Sequence, residues 1–200
     1  MAENPFPARR RRGDVLLQAI YDAALAELAE SGYGQLTMGG IADRAGTGKM
    51  PLYRRWPSAR ELLLDAIRNA LGGVVDADAE LPDTGGLRGD LLTLLEQTAA
   101  IMAGPLGSAM IAVIGERNRH PELMEAVRDE LFGLHPRIRA VLQRAAVRGD
   151  IPADRVSAHV CLTAPALMIV HQLVQGQPPR HDELAAIVDD VVLPAVGAAP

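Results

Sequence analysis

The residues best suited to bind a polyanion cluster between positions 49 and 56. This segment holds the only lysine of the chain, Lys49, together with Arg54 and Arg55, and these cations lie beside two aromatic residues, Tyr53 and Trp56. Phosphate oxygens and guanine edges select for arginine and lysine side chains. Because the 200-residue chain carries a net charge of −5, this local excess of positive charge indicates a contact with nucleic acid.

Two short helices are predicted to position the basic cluster. Ile41 and Ala45 share one face of the first helix, and the hydroxyl of Thr37 is placed to cap its start. Gly46 suits a sharp turn, because a residue without a Cβ adopts left-handed dihedral angles freely. A second helix is predicted over about residues 48 to 55, with two apolar residues four apart on its buried side, Leu52 and Trp56. The pattern is typical of a DNA-reading helix-turn-helix, and the alternative is an ordinary helical hairpin inside a core.

The chain resembles the tetracycline-repressor (TetR) family of bacterial regulators over about residues 14 to 66. The residues that carry the resemblance are Ala23, Ala24, Leu28, Gly32, Tyr33, Leu36, Thr37, Ile41, Ala42, Ala45, Gly46, Leu52, Tyr53, Trp56 and Leu62. Beyond residue 70 only size and helicity are similar. The resemblance implies a transcriptional repressor that binds a palindromic double-stranded operator as a homodimer and is released by a small apolar effector.

Carried over position by position, the resemblance implies a set of DNA-binding residues. Phosphate contacts fall to Thr37, Lys49, Tyr53 and Arg55. Residues that face or approach the bases are Gly48, Met50, Pro51 and Arg54.

Three positions depart from the family pattern. Gly48 replaces a small hydroxyl residue, Arg55 replaces a histidine, and Ala59 replaces a lysine. Arg60 follows one residue later as a substitute phosphate contact, although a one-residue shift rotates a side chain by about 100° around a helix. Pro51 has no hydrogen-bond donor, so a van der Waals contact with a thymine methyl group is the most that it offers.

The basic run Arg9 to Arg12 precedes a first helix that is predicted to begin near Asp14. Two interpretations remain open. The run is either an arm that follows phosphates or enters a minor groove, or a solvated tail. The acidic excess of the chain falls beyond residue 69, so this part is expected to point away from DNA.

The rest of the chain is predicted to be helical, with breaks at glycine and proline. The predicted helices cover 58–71, 87–102 and 106–116, a segment from Pro121 to Arg148 that Pro136 kinks or splits, a segment from Asp154 to about 175, and 182–193. Strand alternation is absent. We therefore predict an all-α fold of about nine helices, with a three-helix DNA-binding domain at 11–71 and a helical ligand-binding and dimerisation bundle at 72–200.

The last two predicted helices are unusually apolar. The residues expected at a four-helix dimer interface are Leu162, Ala166, Ile169 and Leu173 on one helix and Leu184, Ile187, Val188 and Val191 on the other. The alternative is burial of these residues within one chain. We favour the dimer, because a helix-turn-helix usually reads two half-sites about one helical turn apart.

The resemblance also implies an effector pocket among the middle helices, whose occupation moves the helix at 58–71. Candidate lining residues are Met102, Met110, Ile114, Phe132, His135, Cys161, Met168 and His171. The alternative for each of these residues is that it packs in the core and contacts no effector.

An enzyme is the main alternative from another class. The sequence holds no nucleophile elbow, phosphate loop or dinucleotide-binding turn, and the pairs His159 with Cys161 and His120 with Glu122 lack the spacing of a recognised metal site. We expect no enzymatic activity, no cofactor and no metal. No apolar stretch reaches the roughly 18 to 20 uninterrupted residues of a membrane span, so we expect a cytoplasmic protein that joins the nucleoid when bound to DNA. A non-regulatory ligand carrier on the same scaffold remains open if Pro51 and Ala59 have spoiled DNA contact.

Overall fold

The computed structural model describes residues 7–75, 80–131 and 134–198. Within these ranges the chain is helical and contains no strand, which confirms the predicted all-α class. The ten helices of the described ranges are α1 (Pro7–Ser31), α2 (Met38–Arg44), α3 (Lys49–Tyr53), α4 (Ala59–Val75), α5 (Leu87–Met102), α6 (Pro105–Glu116), α7 (Pro121–Leu131), α8 (Leu134–Arg148), α9 (Ala158–Gln175) and α10, which begins at His181–Ala186 and continues through a π-helical segment, Ile187–Val192, into Leu193–Val196.

Two predicted helix starts are wrong. α1 begins at Pro7, so the backbone of Arg9 to Arg12 is helical and does not precede the helix. α9 begins at Ala158 and not at Asp154, because Asp154 lies in a short 3-10 helix, Ala153–Arg155. The hydroxyl of Ser157 caps α9 by accepting the backbone N–H of Val160 at 3.2 Å.

The predicted break between Pro121 and Arg148 divides this segment into α7 and α8. Pro136 is the third residue of α8, and a proline is tolerated in a first turn because its missing N–H would have no partner within the helix. Phe132, one of the candidate pocket residues, lies outside the described residues, as does the side chain of His135.

The chain forms two compact units. The first comprises residues 1–70 and 108–126, and the second comprises 71–107 and 127–200. In the first unit, Arg44 at the end of α2 lies 3.2 Å from a carboxylate oxygen of Glu27 on α1 and also pairs with Glu30. The interior of this unit includes fully buried side chains from each of the first four helices, Leu28, Ile41, Leu52 and Leu62.

Residues 108–126 contribute most of α6 and the start of α7 to the first unit. The ring of His120 meets the ring of Tyr33 edge-on, with 4.6 Å between their centroids. His120 also lies 3.2 Å from a carboxylate oxygen of Glu122. These contacts place the loop before α7 against the 3-10 helix Tyr33–Gln35 that follows α1.

The second unit is built around α5, α8, α9 and α10, which share one apolar core of mainly leucine, valine and alanine. A bidentate ion pair joins α5 to α10, because Nε and Nη2 of Arg88 each lie 2.7 Å from an oxygen of Asp189. In the π-helical segment, the N–H of Leu193 donates to the carbonyl of Val188, five residues back. Pro194, which has no N–H to donate, follows directly.

Candidate nucleic-acid interface

The helix-turn-helix is positioned by a cap and a left-handed glycine, as the sequence predicts. The hydroxyl of Thr37 accepts the backbone N–H of Gly40 at 3.0 Å and so begins α2. Gly46 has a φ of 64°, a conformation that side chains with a Cβ adopt only with strain. The chain thereby turns sharply between α2 and α3.

α3 has one buried and one exposed face. Leu52 is fully buried and Trp56, just beyond the helix, is 5% exposed, so both lie on the buried side as predicted. Met50 is 72% exposed on the opposite side. Each of the nine predicted DNA-binding residues has the exposure that a DNA contact requires: Thr37, Gly48, Lys49, Met50, Pro51, Tyr53, Arg54, Arg55 and Arg60.

Pro51 occupies a position where it does not disrupt α3. The helix runs from Lys49 to Tyr53, so Pro51 is its third residue. The backbone N–H groups of a first turn have no partner inside the helix, and a proline there removes nothing that the helix needs. Pro51 is therefore compatible with the helical backbone of α3.

Lys49 extends over the start of α2. Its Nζ lies 2.9 Å from the point that a Cβ on Gly39 would occupy, and the hydroxyl of Thr37 lies 3.7 Å from the same point. Because Gly39 has no side chain, the side chain of Lys49 can lie against the backbone at this position. Two of the predicted phosphate contacts, Thr37 and Lys49, are brought together here.

The end of α3 is joined to α1 and α4 through one carboxylate. Oδ2 of Asp65 on α4 accepts a hydrogen bond from the hydroxyl of Tyr21 at 2.7 Å and another from Nε1 of Trp56 at 2.9 Å. The rings of Tyr21 and Trp56 meet edge-on, with centroids 5.9 Å apart. We call these three residues the Asp65 junction.

The pKa values of Tyr21 and Asp65 are shifted by burial and by the hydrogen bonds of the Asp65 junction. Burial, followed by the hydrogen bond and the negative charge of Asp65, raises the pKa of Tyr21 to about 12. Burial alone would raise the pKa of Asp65, but the hydrogen bonds from Tyr21 and Trp56 and the positive charge of Arg55 hold it below its ordinary value. Asp65 is therefore a carboxylate at neutral pH.

Sequence reasoning missed Asp65 as a functional residue. The signal was present, since Asp65 is an acidic residue within the apolar run of Leu62 to Ile67. A charged residue on the core-facing side of a helix needs a buried partner. The partners themselves, 44 and 9 residues away along the chain, were not predictable from periodicity.

An exposed apolar face covers much of α9. Val170 is 53% exposed and Val174 is 70% exposed, and Leu167 and Leu173 are exposed as well. Among the described residues, α9 is the one single helix with the length and apolarity of a membrane span, and only 28% of that window is buried. Sequence reasoning included Leu173 in this face but missed Leu167, Val170 and Val174.

The predicted dimer-interface residues divide by exposure. Leu184 and Val188 are buried in the core of their own chain, which matches the alternative of burial within one chain, and their part in an interface stays a prediction. They are buried because α10 turns them toward α5 and α9. The residues that retain exposed surface are Leu162, Ala166, Ile169, Leu173, Ile187 and Val191.

The candidate pocket residues fall in both units. Met102, Cys161 and Met168 are buried in the core of the second unit. Met110 and Ile114 belong to the first unit. A pocket formed by the whole set stays a prediction.

His171 is held at the surface of the second unit. Its Nδ1 lies 3.1 Å from the carbonyl of Gln177 and its Nε2 lies 3.0 Å from a carboxylate oxygen of Glu183. These residues line a surface groove of about 210 Å³. No group of three or more histidine, cysteine, aspartate or glutamate side chains with metal-binding geometry occurs in the part of the chain that the structure describes.

The geometry defines a helix-turn-helix DNA-binding protein. Two family models match the chain: "Bacterial regulatory proteins, tetR family" over residues 20–66 and "Tetracyclin repressor-like, C-terminal domain" over residues 81–191. An uncharacterised HTH-type transcriptional regulator of Mycobacterium tuberculosis is 36% identical over 195 residues, which cover 96% of this chain and 91% of that protein. The chain belongs to the TetR family of transcriptional regulators and is, as such, a DNA-binding regulator.

Two further proteins bear on function and fold. The DNA-binding transcriptional repressor TetR of Mycobacteroides abscessus is 33% identical over 190 residues, with 91% of this chain and 94% of that protein covered. The transcriptional regulator FadR of Bacillus subtilis, solved in complex with stearoyl-CoA, superposes with a TM-score of 0.69 at 18% identity and covers 91% of this chain and 98% of that one. At this identity the second likeness shows the fold alone.

Proposed function

We propose that this regulator is a cytoplasmic homodimeric repressor that binds a palindromic operator and leaves it when a small apolar molecule binds. DNA binding is assigned to residues 11–71, and effector binding and dimerisation to residues 72–200. The observation that carries the proposal is that the same chain has an exposed recognition helix, α3, and an exposed apolar face on α9.

The dimer is supported by the exposure of α9. Val170, Leu173 and Val174 lie within two turns of one helix, and apolar residues so close together are rarely left in water by a single soluble chain. A second copy offers the same apolar face, which a two-fold axis makes self-complementary. A dimer also brings two copies of α3 to two half-sites, which makes the expected operator palindromic.

DNA contact is supported by the charge and exposure of α3 and its flanks. Lys49, Arg54 and Arg55 supply positive charge, and Thr37 places the start of α2 beside Lys49. Cations bind phosphates, and an exposed helix inserted in the major groove reads base edges. Repression is the mode of action named for the 33% identical relative.

The effector part of the proposal follows from composition and fold likeness. Aromatic residues make up only 3% of the chain, so an internal pocket would be lined by aliphatic side chains and methionine. The fold neighbour solved with stearoyl-CoA binds a ligand with a long apolar chain. For release, the effector must bind the DNA-incompetent state more tightly than the competent one.

The first test is fluorescence anisotropy with duplex DNA from upstream of the protein's own gene and a scrambled duplex, at two salt concentrations. A sequence-specific repressor is expected to prefer the upstream duplex, and its affinity is expected to fall with salt because phosphate contacts release counterions. Equal weak binding to both duplexes would leave only backbone attraction at this DNA. Selection from a randomised duplex pool would then decide between a different operator and the ligand-carrier alternative.

Two additional measurements test the dimer and the effector separately. Light scattering at micromolar protein is expected to give twice the mass of the 21.3 kDa chain, and a monomer would refute the dimer. Stearoyl-CoA is the first effector probe. Release of bound operator by stearoyl-CoA, but not by coenzyme A, would support an acyl-chain effector, and no release by either would argue against that class of ligand.

A further inference from the structure

We propose that Asp65 is a positioning residue for DNA binding, because its carboxylate fixes the end of the recognition helix through Trp56. Asp65 is a half-buried residue of α4, and the proposed role does not require it to touch DNA. It acts through the two hydrogen bonds of the Asp65 junction, one from Tyr21 on α1 and one from Trp56 directly after α3.

α3 needs such support because it is very short. It contains five residues, from Lys49 to Tyr53, and a helix of this length is unstable unless tertiary contacts hold it. Its start has no side-chain cap, since Gly48 is the N-cap residue. Its buried side offers Leu52 within the helix and Trp56 beyond it. The hydrogen bond from the Trp56 ring to Asp65 is therefore a directional side-chain contact that ties this end of α3 to α4.

Both donors of the Asp65 junction converge on the same oxygen atom. Tyr21 and Trp56 reach Oδ2 at 2.7 and 2.9 Å, and both rings are almost fully buried. Hydrogen bonds to a charged acceptor are stronger and more directional than those between neutral groups. Removing the acceptor would take from both donors the carboxylate that they share, and the end of α3 would lose this contact.

The Asp65 junction also sets the place of Arg55. The guanidinium of Arg55 lies 5.0 Å from the centroid of the Trp56 ring, within the range of a cation–π contact. The negative charge of Asp65 is close enough to interact with Arg55. Arg55 is exposed, so part of its side chain faces solvent while its guanidinium lies beside the Trp56 ring and the carboxylate of Asp65.

The test compares Asp65→Ala with Asp65→Asn and with a matched control, Asp22→Ala. Asp22 is an exposed aspartate on α1 that is hydrogen-bonded only to the neighbouring Gln18 among the described contacts. Each alanine variant removes one negative charge, which by itself strengthens attraction to DNA. Affinity is measured by anisotropy with a duplex that the wild-type protein selects from a randomised pool.

We expect Asp65→Ala to lose roughly tenfold or more in affinity for the selected duplex, whereas Asp22→Ala binds as well as wild type or better. Asp65→Asn, which keeps an acceptor oxygen but loses the charge, is expected to fall between them. Trp56 is the only tryptophan, so its emission reports on the Asp65 junction alone. Acrylamide quenching of this emission should increase in Asp65→Ala and not in Asp22→Ala.

A double-mutant cycle with Trp56→Phe separates positioning from a general loss of stability. In the Trp56→Phe background Asp65 has lost the donor through which it acts, so a second change at Asp65 is expected to have little further effect on DNA affinity. Circular dichroism confirms that each variant is folded at the temperature of the assay. If Asp65→Ala does not fold, the cycle is run with Asp65→Asn.

Two results would overturn the proposal. One is an Asp65→Ala protein that binds the selected duplex as tightly as Asp22→Ala. The other is an additive cycle, in which Asp65 and Trp56 contribute independently.

Discussion

The carboxylate of Asp90 is fully buried and lies 2.8 Å from Nη2 of Arg144. The same carboxylate accepts the backbone N–H of Thr84 at 2.7 Å and the hydroxyl of Thr84 at 2.9 Å. One acidic side chain thus joins α5, α8 and the loop before α5 within the second unit. Arg144 also donates to the carbonyl of Pro82. The loop before α5 is therefore bound to both members of the ion pair.

Asp90→Asn is expected to destabilise the protein by about 1 to 3 kcal/mol, because it removes the buried charge partner of Arg144, whose guanidinium is partly exposed. Thermal or urea unfolding measures the change. Asp154→Asn, at an exposed aspartate without a described side-chain partner, is the control and should alter stability by less than about 0.5 kcal/mol. Equal stability of the two variants would mean that the ion pair is not a stabilising contact.

Acid should remove the contribution of Asp90. Burial alone would raise the pKa of Asp90, but the hydrogen bonds from Thr84 and Arg144 hold it below its ordinary value. A group whose pKa is lower in the folded state stabilises the fold above the unfolded pKa of about 3.9, and this stabilisation is lost as the pH falls through the folded-state pKa. The difference in unfolding free energy between wild type and Asp90→Asn should therefore shrink below about pH 4.

Two glycines of α6 should respond in opposite directions to alanine. A Cβ on Gly107 would collide with the carbonyl of Met102 and press on Nε2 of Gln172, whereas a Cβ on Gly115 would meet nothing within 4 Å. Gly107→Ala is expected to destabilise the protein by about 1 to 3 kcal/mol, and Gly115→Ala to stabilise it by about 0.5 to 1 kcal/mol. Urea or thermal unfolding of each variant measures the change in stability. A stabilising Gly107→Ala would contradict the packing described.

Val174→Glu is expected to convert the proposed dimer to a monomer, because it would place two unpaired carboxylates in an apolar interface. Light scattering measures the mass, and loss of cooperative binding to a palindromic duplex is the functional consequence. Val147→Glu is the control, since Val147 is 89% exposed on α8. If both variants keep the mass of wild type, the interface lies elsewhere.

Arg54→Ala should weaken operator binding and also relax discrimination between bases if Arg54 contacts a base edge, with a change of about 1 to 3 kcal/mol. Lys49→Ala should instead weaken binding to all duplexes and lower the salt slope by about one, as a phosphate contact does. Arg117→Ala changes an exposed arginine of the same unit outside the helix-turn-helix and serves as the charge control. An Arg54→Ala protein that matches Arg117→Ala would exclude base contact by Arg54.

The amino-acid sequence alone determined the local features of this protein. The cap at Thr37, the left-handed Gly46 and the burial of Leu52 and Trp56 each follow from a residue type and its near neighbours. Helical periodicity is set by contacts three and four residues apart, so it can be read without knowledge of the fold. The family resemblance rests on the same short-range features.

The tertiary structure decided which apolar faces are covered. α9 and α10 carry apolar residues around much of their circumference, and periodicity cannot select a face on such a helix. Leu184 and Val188 proved to be buried within the chain, while Val170 and Val174 remain exposed. Only the positions of the other helices determine this difference.

The tertiary structure also decided which polar groups meet. Asp65 and Tyr21 are 44 residues apart, and Asp90 and Arg144 are 54 residues apart. A buried carboxylate must have a partner, so the sequence can indicate that one exists. The identity of that partner depends on how the helices pack, and this is set by the sum of many long-range contacts that no local pattern contains.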